Sequence, residues 1–190
     1  MNVRNVKDMK IVFLDDNSIG TDIDLSGFES LGEVVRYGSS KPEEVPERIR
    51  DADVIIVNKI PMNEATLSGA SHLKLVALTA TGMNNIDFDY TNSHGIQVKN
   101  VAGYSTNAVA QHTFALLFYV LHRLAYYDNY VKSGAYCTNP GFSHFDEKFS
   151  ELDGKTWGIV GMGAIGQRVA SIAEAFGCHV IYYSTSRRNT

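Results

Sequence analysis

The stretch TWGIVGMGAIGQRVASIAEAFGCHVIYYSTSRRNT, Thr156–Thr190, decides how this chain is read. TWGIV is a short apolar run of strand type, AIGQRVASIAEAF carries a helical pattern, and HVIYY is a second strand. Between the first strand and the helix stands Gly161-Met162-Gly163-Ala164-Ile165-Gly166, a GxGxxG turn. A lone match is weak, but a turn that leaves a strand and opens a helix is the setting a dinucleotide site requires. Gly161 makes the tight turn, Gly163 lets a pyrophosphate approach the backbone, and Gly166 lets the helix pack close to the sheet. The free amides of Ala164 and Ile165 at the helix N-terminus then face the phosphates, where the helix dipole favours negative charge.

The ribose end of such a site is less regular. An NAD site wants an Asp or Glu about 20 residues beyond the turn, at the tip of the second strand. No carboxylate occurs from Ala175 to Thr190, and the strand tip is Ser184, followed by Thr185, Ser186, Arg187 and Arg188. Hydroxyls and arginines suit a 2′-phosphate better than a bare ribose. The same residues also fit a solvated chain end, so the cofactor is read as NAD or NADP.

Upstream, strands and helices alternate. KIVFL (10–14), EVVRYG (33–38), DVIIVN (53–58), LKLVALTAT (73–81) and IQVKNV (96–101) read as strands. Short helical pieces lie between them: FESLG, KPEEVPERIRDA, NEATLSGA with Asn63 as its cap, and DFDYTNSHG. This spacing argues for an α/β fold with a parallel sheet and helices on both faces. A single long helix is expected from Ser105 to about Tyr127, so apolar that protein should cover most of it, either a neighbouring domain or a second subunit. The segment AYCTNPGFSHFDEKFSELDGK after it shows no helical or strand period and reads as a long surface loop.

Bulk composition narrows the classes. With 44% hydrophobic and 20% charged residues the chain can bury an ordinary core. A net charge of −4 gives no electrostatic case for nucleic acid. Cys137 and Cys178 form no CxxC pair, which suits a reducing, cytoplasmic setting. No apolar run has the length of a signal peptide core or a membrane span. The eight residues before Met9 carry no motif and read as an extended or misassigned start.

Three segments in this order resemble the D-isomer-specific 2-hydroxyacid dehydrogenases: TATGMNNID (79–87), NVAGYSTNAVAQHTFALL (100–117) and ELDGKTWGIVGMGAIGQRVA (151–170). The similarity runs from Met9 to the end and leans toward hydroxypyruvate reductase or glycerate dehydrogenase-like members. It implies a flavodoxin-like substrate domain, represented by residues 1–100, and an incomplete Rossmann nucleotide-binding domain, residues 101–190, truncated after its second strand. It also implies that amides around Gly82 and Met83 hold the carboxylate of a small 2-keto or 2-hydroxy acid, that Thr81 touches the cofactor, and that the protein is a homodimer. Independently, a strand running into TGMNN presents amides at the crevice where open α/β sheets bind ligands.

The family's catalytic arginine, acid and histidine have no counterpart in these 190 residues. Of the six histidines, His112 and His122 sit on the long helix and read as packed or interhelical, while His72, His94, His144 and His179 show neither metal spacing nor an acid partner in the sequence. Two expectations therefore stand together: part of an NAD(P)-dependent 2-hydroxyacid dehydrogenase, inactive by itself, or a non-catalytic nucleotide-binding and dimerisation module.

Overall fold

The computed structural model of the chain describes residues 9–184, and the chain divides into two compact units, Met1–Ala102 and Gly103–Thr190. Arg187 and Arg188, assigned above to a 2′-phosphate, lie outside the described residues, as do the eight residues before Met9.

In the first unit β1 (Met9–Phe13), β2 (Gly32–Arg36), β3 (Val54–Val57), β4 (Leu75–Leu78) and β5 (Gln97–Lys99) form one parallel sheet. Its order, β2-β1-β3-β4-β5, is the flavodoxin-like one. The crossovers are short: α1 (Val45–Arg48), α2 (Glu64–Leu67) and α3 (Phe88–Ser93), with 3₁₀ turns at Asp16–Ser18, Ser26–Ser30 and Pro42–Glu44. Of the expected helical piece FESLG, Phe28–Ser30 lie in the 3₁₀ turn Ser26–Ser30, and Gly32 already opens β2. Asn63 caps α2 as its position suggests, its side chain accepting from the Thr66 amide while the Thr66 hydroxyl accepts from the Asn63 amide.

The two-residue period of the strands sorts their apolar side chains onto opposite faces. Val12, Leu14, Ile55, Val57, Val76 and Leu78 pack with Val45, Ile49 and Leu67 in one layer. Ile11, Phe13 and Ile56 point the other way, against Leu25 and Phe28, with the Phe13 and Phe28 rings edge to face at 5.2 Å. Each fully buried Val, Leu or Ile is worth about 1.5–3 kcal/mol.

One buried carboxylate ties the amino ends of three strands together. Asp53 is 1% exposed; it accepts from the Lys10 amide at 3.0 Å and pairs with the Lys74 ammonium at 3.0 Å. The Asp53 backbone meanwhile donates to Lys10 O and accepts from Lys74 N.

The second unit begins with α4 (Thr106–Leu121), α5 (Leu124–Lys132) and the short α6 (Ala135–Thr138). It continues through β6 (Thr156–Val160) and α7 (Ala164–Ala175) to β7 (His179–Tyr183), which pairs with β6 in parallel. Its core joins α4 to α7: Ala110 and Ala173 are fully buried, and Phe114 stacks on Trp157 at 4.9 Å.

The single long helix expected over 105–127 is two helices. His122 ends α4, and Arg123 takes a left-handed conformation at φ 53° and ψ 38° before α5 starts. Such a conformation is costly in a non-glycine residue, and side chains from the following loop pack at the break. His122 stacks on Phe149 at 4.9 Å, and Arg123 pairs with Glu147 at 3.5 Å.

The expected cover on this helix is also incomplete within the chain, since Leu116 (56%), Tyr119 (54%) and Val120 (65%) are exposed. The loop after α6 is held against α5. His144 stacks on Tyr130 at 3.8 Å and shares a 2.7 Å hydrogen bond with the Tyr126 hydroxyl, and the Tyr127 hydroxyl donates to Glu147 O. Loss of solvent, followed by the Asp146 and Glu147 carboxylates, pushes the Tyr126 phenol above its ordinary range.

Hydrogen bonds to a charged group are worth about 1.5–3 kcal/mol. Asp53→Ala is expected to lower the stability of the first unit by about that amount, read as a lower urea midpoint with an unchanged slope. A midpoint equal to that of the unaltered chain would remove Asp53 from the account.

Candidate functional site

Two turns with unpartnered backbone amides among the described residues stand out, one in each unit. In the second unit β6 runs into Gly161, whose φ of +96° is a conformation that side-chain-bearing residues rarely adopt. The Gly161 amide donates to Tyr183 O at 2.8 Å, which ties the turn to the end of β7. The register Val160↔Tyr183 then places Ser184 beside Gly161, one step past the paired strands.

The three glycines of the turn meet different surroundings. A Cβ on Gly166 would collide with the Gly161 carbonyl oxygen and would lie 3.4 Å from the Ile159 side chain. Glycine there is what lets α7 start so close to β6. A Cβ on Gly163 would meet nothing within 4 Å, and Gly163 is exposed as the N-cap of α7. The first amides of any α-helix have no partner inside it. At the start of α7 these belong to Ala164 and Ile165, both exposed. The result is an open, amide-lined concavity with a positive dipole end, suited to a pyrophosphate.

In the first unit the second turn follows β4. Among the described residues the amides of Gly82 and Met83 have no acceptor, and Gly82 is exposed. Three side chains that the sequence reading did not single out hold this region. The Asp15 carboxylate, after β1, accepts from the amides of Asn58 (2.9 Å) and Lys59 (3.0 Å), after β3. The Asn85 amide group donates to Ile60 O at 2.8 Å, joining the loop after β3 to the loop after β4. Asn100, after β5, donates to Thr81 O at 2.7 Å, and the Thr81 hydroxyl donates to Val101 O at 3.1 Å. These residues cluster at the carboxyl ends of the strands, the ligand crevice of an open α/β sheet. A sequence signal existed: polar residues placed directly after strand ends, where a side chain can reach a neighbouring loop.

Among the described residues no group of three or more His, Cys, Asp and Glu side chains could hold a metal ion. Among them, too, no helix is long and apolar enough to cross a membrane. In the first unit His72 and His94 precede β4 and β5, at the amino ends of the strands. His94 is spent on Tyr90, stacked at 4.0 Å and hydrogen-bonded to its carbonyl at 2.9 Å.

The glycine geometry separates binding from folding. Asp is a favoured N-cap, so Gly163→Asp is expected to leave the thermal midpoint unchanged or higher, while its carboxylate repels the pyrophosphate and abolishes dinucleotide binding. Gly166→Ala forces a Cβ against a backbone carbonyl and is expected to cost about 3 kcal/mol of stability. Thermal melts and a dinucleotide titration on both variants check the pair; equal effects on stability would refute the division of roles.

Comparison with known proteins identifies the family. Residues 6–188 match the family described as D-isomer specific 2-hydroxyacid dehydrogenase, catalytic domain. The hydroxypyruvate reductase of Blautia hydrogenotrophica is 37% identical over 179 residues, covering 92% of this chain and 56% of the relative. An acyclic imino acid reductase solved with NADPH and D-Arg superposes with a TM-score of 0.79 at 31% identity, over 96% of this chain and 58% of that one. A D-lactate dehydrogenase from Aquifex aeolicus solved with NAD and lactic acid gives 0.75 at 27% identity, over 94% and 52%. The chain thus spans about half the length of the curated relatives it matches. With the match extending over nearly all of its residues, the chain belongs to the D-isomer-specific 2-hydroxyacid dehydrogenase family.

Proposed function

We propose that this chain supplies the dinucleotide-phosphate turn and the substrate-carboxylate turn of an oxidoreductase that interconverts a small 2-keto acid and its 2-hydroxy acid. The observation that carries the reading is the contrast at the glycine turn, where Gly166 is closed by backbone and Gly163 is open toward solvent. A reduced nicotinamide, when bound, supplies the hydride for the keto carbon.

The chain's own residues bind and orient. Gly161, Gly163, Ala164, Ile165 and Gly166 take the pyrophosphate, Ser184 and Arg187 take the adenosine ribose, and Thr81 reaches the cofactor. Gly82 and Met83 take the carboxylate. Hydroxypyruvate and glyoxylate are the substrates in view, because the curated relatives include reductases named for them. The solved relatives hold NADPH in one case and NAD in another, and Arg187 inclines this chain to accept both.

Reduction of the carbonyl also needs a proton donor within hydrogen-bond reach of its oxygen. His72 and His94 stand at the opposite end of the sheet from Gly82. The chain spans about half the length of its curated relatives, and the reading assigns the catalytic arginine, acid and histidine to the half it does not span, so that these residues alone should bind without turning over. A homodimer belongs to the same proposal. Its surface is the 108–127 segment, where Leu116, Tyr119, Val120 and Leu124 are exposed, with the 134–153 loop, where Phe142 and Phe145 are exposed, apolar surface of the kind that marks interfaces.

The single tryptophan, Trp157, lies on β6 directly before the glycine turn and provides the test. Titration with NADH or NADPH is expected to quench Trp157 emission with energy transfer to the reduced nicotinamide. Arg187→Ala should weaken NADPH about tenfold or more, the worth of a charge-assisted arginine–phosphate contact, and leave NADH unchanged. Absence of transfer with either dinucleotide would sink the reading. Sedimentation at micromolar concentration should give a dimer; a monomer there would remove the dimer from the proposal.

A further inference from the structure

The carboxylate turn depends on a feature that glycine cannot provide for itself. Two adjacent amides can grip one carboxylate only if both point to the same side, and Gly82 is the residue type whose backbone is least restricted. The peptide between Thr81 and Gly82 is planar and trans, so its carbonyl and its N–H point in opposite directions. Whatever fixes the Thr81 carbonyl therefore aims the Gly82 amide.

That carbonyl is held by one side chain, Asn100, whose Nδ2 donates to Thr81 O at 2.7 Å. A carbonyl acceptor needs a donor, which settles the orientation of the Asn100 amide. Asn100 is itself placed by the sheet. It follows directly on β5, which pairs with β4 through Ala77↔Lys99, so it arrives beside the end of β4. Two further bonds keep the segments together: Val101 N to Ala80 O at 3.1 Å, and the Thr81 hydroxyl to Val101 O at 3.1 Å. Both leave the Thr81 carbonyl itself untouched.

We propose that Asn100 is a positioning residue of the carboxylate site, pinning the Thr81–Gly82 peptide so that the Gly82 and Met83 amides converge on the ligand's carboxylate. The inference rests on the reading of Gly82 and Met83 as the carboxylate holder. Asn100 touches no reacting atom; it acts through the peptide plane.

The test is an amide NMR titration of the 190-residue chain with D-glycerate, the 2-hydroxy acid formed by reduction of hydroxypyruvate. In the unaltered chain the Gly82 and Met83 resonances should move saturably. Asn100→Leu and Asn100→Asp keep the size of the side chain and remove the donor. Both should weaken D-glycerate about tenfold and broaden the free-state resonances of Gly82 and Met83 alone, while the amides of Val57 and Leu78 in the sheet stay in place.

Unchanged affinity in both variants overturns the proposal. So do shifts spread across the sheet, which would mean that Asn100 merely supports the fold. If D-glycerate moves neither Gly82 nor Met83 in the unaltered chain, the carboxylate reading itself fails and the proposal falls with it. The unaltered chain thus tests the reading, and the variants test Asn100.

Discussion

The close approach of the Gly161 carbonyl to the Cα of Gly166 is the constraint on which the second unit depends. Because no side chain separates them, α7 begins immediately under the end of β6 and its axis points back at the turn. The first amides of α7 therefore emerge beside Gly163, where no other described residue comes within 4 Å of a side-chain position. Packing and the proposed phosphate site share one backbone path here: the contact that lets α7 cover the sheet also aims its dipole at the open side of the turn. The apolar partners of α7, Val169 and Ala173 against Phe114 and Ala110, keep that path from relaxing.

In the first unit the logic is carried by side chains. Parallel strands end at one edge and their loops have no regular partners, so polar side chains take over the work of the ladder. Asp15 joins the loops after β1 and β3, Asn85 joins those after β3 and β4, and Asn100 joins those after β4 and β5. At the other end of the same strands Asp53 plays a comparable part for β1, β3 and β4. The sheet is thus laced at both ends, while the amides of Gly82 and Met83 have no acceptor among the described residues.

What could be read from the sequence follows from how local each signal is. The five strands of the first sheet were legible because each is an apolar run closed by turn residues, and Asn63 announced its helix because capping is a contact over three residues. The glycine turn was legible for the same reason. Arg123 was not: the contacts at its break, Phe149 on His122 and Glu147 on Arg123 itself, come from more than twenty residues away, and no glycine or proline marks the break between α4 and α5. Asp53, Asn85 and Asn100 were also missed, since their partners lie on neighbouring strands and only the register brings them together. The exposure of Leu116 and Val120 could not be read from an apolar pattern, which gives the need for cover and not its source.

The central claim is that two sets of outward-facing backbone amides, one in each unit, define what this chain binds. Mapping the amide resonances of the chain as NADH is added tests it most directly. The account predicts saturable shifts confined to Gly161–Gly166 and the end of β7, absent in Gly163→Asp, with the α4–α5 segment unmoved. Shifts centred elsewhere, or a Gly163→Asp variant that binds as well as the unaltered chain, would contradict it.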